Sequence, residues 1–344
     1  MMDTYKECVE IVNRIIVENN IDVAIVSGDE SVFLPNIDIE KKIILFPYLQ
    51  ESLLILDEIG TADQFRSFYL SLLMLQNDDY ESGNELMDNL AFYGMPECTD
   101  AKALYKSILV KQVFILLHEL GHYYYKYDEI PSIFRDYFSE YCKMLDEFHK
   151  NREAVEKEKD QMLEMSKRVV NDVTFLKDYF DEFDYKNRIA SYINERSNVD
   201  ESAADLFASF ILLNFLPSRM GFSYNLVVKS VFGAINYIHT ITSYRNFVDG
   251  ICDSCQYSNN LSIRLGFLKT ITAVFDPYKY SSEDIFEKLV QLVSDMPSIE
   301  KYILKWREGN INLYNTESYQ NLKNKIENYA YSVKGLYQYT TGDL

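Results

Sequence analysis

The sequence predicts a mainly α (α+β) fold with a short N-terminal β element and a long helical insertion. Three observations carry that prediction. Apolar residues recur at helical spacing along most of the 344 residues, the one convincing β signal is confined to 22–46, and the stretch 128–195 consists almost wholly of helix formers. A chain of this length can bury a sizeable core. Its 47% hydrophobic and 25% charged residues, with few Gly and Pro and no low-complexity tract, argue against long disorder.

In chain order, Val9, Val12, Ile15 and Ile16 stand at helical spacing. DVAIV (22–26) and KKIILF (41–46) read as short strands, separated by Gly28, Pro35 and Asn36. From Gln50 the period is helical through SLLILDEI and QFRSFYLSLLMLQ. After the turn FYGMPECTD comes a long helix near 100–127, capped by Thr99 or Asp100. The section 128–195 interleaves acidic and basic residues, which suits exposed helices or a projecting arm that could take a protein partner. SNVDESAADLFASFILLNFLPSRMG predicts a helix near 200–216 ending at Pro217 and Gly221. NLVVKSVFGAINYIHTITSYRNFV and a stretch from about 261 to 275 predict two more. Residues 1–275 are thus expected to form one domain, with 276–344 as a C-terminal helical section packed on it.

Net charge is −19, and between Glu51 and Asp100 Arg66 is the sole basic residue among eleven acidic ones. Such a field repels phosphate backbones and anionic membranes, so nucleic-acid binding is excluded as an expectation and the acidic residues read as a solvated surface. The longest apolar run, Leu206 to Leu216, is about half of the ~20 residues a membrane span needs. Five cysteines, an odd number, and a start with no apolar leader pattern predict a reducing, cytoplasmic setting.

The chemistry is concentrated in ILVKQVFILLHELGHYYYKYDE (108–129), where His118, Glu119 and His122 interrupt an apolar helix. One turn apart, the two histidines project from the same face and can reach one ion. Glu119 lies about 100° around the helix, beside the open coordination position rather than on the metal. Gly121 leaves room for another element to pack close under the metal. A third ligand is needed, and DESAADLFA offers one: Glu201 and Asp205 are four apart at the start of a helix and share a face. Glu201 then completes a zinc site, and Asp205 accepts from the far nitrogen of a ligand histidine. The competing reading of that stretch is an acidic first turn complementing the helix dipole.

HELGH on one helix followed by ExxAD on a later one resembles the gluzincins, zinc peptidases with a glutamate third ligand. The soluble groups are nearest in character, such as the ImmA/IrrE-like and phage-exclusion proteases and the soluble core of the HtpX-type family. That resemblance implies a zincin-like helical core over about 100–275, Zn2+ held by His118, His122 and Glu201, Glu119 as general base, and Asp205 orienting a ligand. It further implies a zinc-dependent metallopeptidase acting on a protein or peptide. Many such families carry a His-Pro step before a helix bearing an arginine; here Arg264 is present but Ser258 and Asn259 replace His-Pro.

Candidates to stabilise an oxyanion are His239, Arg264 and Tyr257. His149, inside the charged section, reads as a surface residue. Cys252 and Cys255 form a lone CxxC without the second pair a structural zinc site wants. A di-iron bundle would need a second ExxH helix, and neither His149 nor His239 has a glutamate three residues before it. A non-catalytic zinc-binding interaction protein remains the alternative class, and there KKIILF, the expected substrate-pairing edge strand, would have no such role.

Overall fold

The computed structural model describes residues 4–18, 20–28, 35–47, 49–90, 100–126, 164, 196–249, 264 and 316–341. In chain order these form α1 (Thr4–Glu18), β1 (Ala24–Gly28), β2 (Asn36–Asp38), β3 (Ile43–Pro47), α2 (Gln50–Ile59), α3 (Ala62–Gln76), α4 (Tyr80–Asn89), α5 (Ala101–Lys126), α6 (Arg196–Met220), α7 (Tyr224–Asp249) and α8 (Thr316–Thr341). The fold is mostly helical with one small N-terminal sheet, as the periodicities predict. The charged section apart from Glu164, the stretch 276–315, and Cys252, Cys255, Tyr257 and His149 lie outside the described residues.

Local chemistry sets the helix starts. Thr61 and Gln64 form a reciprocal capping box on α3. Asp79 accepts from the Ser82 N–H to open α4. Asp100 caps α5, its carboxylate accepting from the Ala103 N–H at 2.9 Å; Thr99 lies outside the described residues. At the other end of α6 the prediction needs correction: the helix runs through Pro217 and stops at Met220. Pro217 sits in the last turn, where a missing N–H costs one bond and not the helix, and Gly221 at φ 66° makes the turn out.

The sheet has order β1-β3-β2, with β1 parallel to β3 and β2 antiparallel to it through Ile37 opposite Ile44. The strand read from KKIILF is therefore central and bonded on both sides, which removes it as a pairing edge. Its edge towards α5 is β2, a three-residue strand too short to show a period in sequence.

At the centre of the fold lies α5, with α1, α2, α6 and α7 packed around it. Ile108 to Leu117 are all buried, including Lys111 and Gln112. A helix covered on every side needs no amphipathic stripe, and this one has apolar residues all round. The C-terminal α8 buries Leu322, Ile326, Tyr329, Val333 and Tyr337, spaced three or four apart, in the same core as α2 and α3.

The acidic stretch beginning at Glu51 is only in part the solvated surface expected from composition. Glu51 is buried, accepts from Thr4, and meets Lys334 Nζ of α8 at 2.6 Å. Asp57 and Glu58 lie 2.6 and 3.1 Å from the buried Lys111 Nζ of α5, and Asp88 meets Lys325. These carboxylates tie α2 and α4 to helices far along the chain. Their basic partners come from distant positions, so a window of composition around residues 51–100 cannot reveal them.

Candidate metal centre

The site forms where α6 lies along α5. His118 is carried into the interior by the covered helix and is 2% exposed, while His122, one turn on towards the helix end, is 20% exposed. Their Nε2 atoms stand 3.1 Å apart. Glu201, near the start of α6, reaches the same point: Oε2 is 3.3 Å from His118 Nε2 and Oε1 is 3.5 Å from His122 Nε2. Glu119 contributes a further carboxylate, and ligand atoms of His118, Glu119 and His122 all lie within 4.8 Å of one another. This His-Glu-x-x-His cluster could hold a metal ion.

The spacing of the donors supplies a test of fit. Ligands about 2.05 Å from a tetrahedral ion sit about 3.3 Å from each other. Separations of 3.1, 3.3 and 3.5 Å around His118, His122 and Glu201 match that figure, and two imidazoles with one carboxylate make a chemically suitable set. With a side chain 38% exposed, Glu201 leaves one flank of the cluster open to solvent.

Behind the cluster lies a chain of buried charges. Asp205 Oδ1 is 2.9 Å from His118 Nδ1. On its other side the same carboxylate receives two bonds from Arg264, Nε to Oδ2 at 2.6 Å and a terminal nitrogen to Oδ1 at 2.8 Å. Arg264 also stands 3.4 Å from Glu201 Oε2. Both Asp205 and Arg264 are buried, so the fork is dry as well as bidentate.

These charges set the titration of the metal-free site. Burial opposes the charged form of His118, yet the hydrogen bonds to Asp205 and Glu201 outweigh it and raise its pKa to about 10. His122 is lowered to about 4, by burial first and then by the positive His118. Burial raises Glu119 to about 7, against the pull of His118 and, more weakly, of the Ile37 backbone amide on β2. Burial would raise Glu201 and Asp205 too, but His118 and Arg264 hold both below the ordinary carboxylate range.

Of the residues singled out in the sequence, His118, Glu119, His122, Glu201, Asp205 and Arg264 come together here. His239 is buried on α7 and is not a member of the cluster. The Ile37 amide, by contrast, was missed: a backbone donor on a three-residue strand leaves no side-chain signal. A scan against protein-family models finds no match, and neither the curated proteins nor the solved structures return one.

Proposed function

We propose that this chain is a zinc-dependent metallopeptidase that hydrolyses a peptide bond in a protein or peptide substrate. The observation that carries the reading is the triangle of His118, His122 and Glu201 at tetrahedral spacing, with Glu119 beside it and one flank open. A zinc ion held by those three residues would act as a Lewis acid on the scissile carbonyl and lower the pKa of water.

The protein's own groups do the rest. Glu119, ionised, accepts a proton from the attacking water and returns it to the leaving amine nitrogen, so the base of the first step is the acid of the second. The backbone of Ile37 on β2 weakly favours the ionised form of the Glu119 carboxylate. Asp205 Oδ1, 2.9 Å from His118 Nδ1, favours a proton on that nitrogen, which would leave the Nε2 lone pair for the ion. Arg264 has two bonds committed to Asp205 and acts as a brace in this scheme, not as an oxyanion donor. His239 has no role in it.

Two imidazoles and one carboxylate, with a position left open for water, are a donor set that would suit a catalytic zinc, and elemental analysis separates it from iron(II), which the same donors also suit. The deciding experiment is Glu119→Gln, with zinc content measured by elemental analysis and cleavage measured on a diverse peptide pool. Retained zinc with turnover reduced by roughly a hundredfold or more supports the assignment. A glutamine variant that cleaves as fast as the wild type defeats it.

A further inference from the structure

Gly121 of α5 lies tightly against Ala204 of α6. A methyl group on Gly121 would lie 2.7 Å from Ala204 Cα, 3.1 Å from its carbonyl oxygen and 3.2 Å from its Cβ. The first two are main-chain atoms, so no rotamer change relieves the clash.

The position of this seam gives it significance. Gly121 lies between His118 and His122, and Ala204 lies between Glu201 and Asp205. The contacts that join the two motifs flank it: His118 and His122 to Glu201, and His118 to Asp205. We infer that Gly121 is a positioning residue for the metal, fixing the helix separation at which Glu201 can share an ion with the two histidines. The inference rests on the metal-binding reading proposed above.

The distances explain why one methyl is enough. Carbon atoms pack at about 3.5–4.0 Å, so an alanine at 121 must part the helices by about 1 Å. A metal site tolerates ligand distances within about 0.2 Å, and the opened seam withdraws Glu201 from the shared point. Helix propensity acts in the opposite direction, since alanine is the better helix former, so α5 itself is not weakened by the change.

The test uses the full chain and Zn2+ alone, titrated in competition with a chromophoric chelator, with Co2+ absorption bands as a report on coordination geometry. Gly121→Ala is expected to keep its far-UV helix content and to lose on the order of tenfold to a hundredfold in Zn2+ affinity, with altered Co2+ bands. Adding Ala204→Gly should not restore binding, because the Cα and carbonyl contacts persist; full restoration overturns the main-chain origin. A folded Gly121→Ala protein with wild-type affinity overturns the inference and leaves the metal reading standing. Should that variant not fold, Ala204→Ser is read instead: a smaller loss of affinity in a folded protein supports the inference and wild-type affinity overturns it. A wild-type chain that fails to take up Zn2+ sinks the metal reading itself, and this inference with it.

Discussion

Asp205 holds His118 through a 2.9 Å contact between Oδ1 and Nδ1, and its carboxylate is itself gripped by Arg264. The pair therefore works as a relay of orientation, from guanidinium to carboxylate to imidazole. Replacing Asp205 by Asn keeps the size but removes the charge that fixes the His118 ring, and should weaken Zn2+ binding roughly tenfold to a hundredfold. Arg264→Lys should fall between Arg264→Gln and wild type, since a lysine supplies the charge without the fork. Competition titration of each variant provides the measurement.

Metal uptake should be strongly pH-dependent. In the metal-free protein His118 titrates near 10 and His122 near 4, so at neutral pH only His118 must lose a proton to become a ligand. Between about pH 8, where Glu119 is already largely ionised, and pH 10, Zn2+ affinity should climb at least about tenfold per pH unit, with one proton released from His118 per ion and a further one where bound water ionises. Calorimetry in buffers of different ionisation enthalpy reads that proton directly. The same raised pKa has a second consequence of definite sign. Stability that the metal-free protein draws from charged His118 is fully present below its unfolded pKa and is lost as the pH rises through about 10.

Lys111 is a buried cation that joins α5 to two carboxylates in the last turn of α2, where the helix dipole disfavours negative charge. Lys111→Met should destabilise the protein by about 1–3 kcal/mol, less than for a fully buried pair because Asp57 and Glu58 keep some access to water. Urea unfolding measures this. Zn2+ stoichiometry should not change, because none of the contacts described for Lys111 involves His118, His122 or Glu201.

The helical architecture and the two motif segments were legible because both rest on local pattern. Helical period, the Asp100 cap and the i,i+4 pairs at His118/His122 and Glu201/Asp205 are all set within a turn or two of chain. Features that depend on distant partners were not legible. Glu51, Asp57 and Glu58 read as surface charge until Lys334 and Lys111 are brought to them by folding. Pro217 reads as a stop because propensity ignores that a last-turn proline forfeits only one bond. Likewise β2 and the Ile37 amide are visible only once β3 has been given neighbours on both sides.

The seat of α8 on α2 has a consequence for the order of synthesis. Ser52 donates to the Ala330 carbonyl across 278 residues of sequence, and the buried Glu51 meets Lys334 across a similar gap. At roughly 5–20 residues per second, the early helices wait on the order of 15–60 s for residues 316–341 to emerge from the ribosome. Until then the apolar surface that α8 covers has no partner, and Glu51 has Thr4 but not Lys334. Cooperative closure of the core, and with it the rigid support of α5, is an event that follows translation of α8.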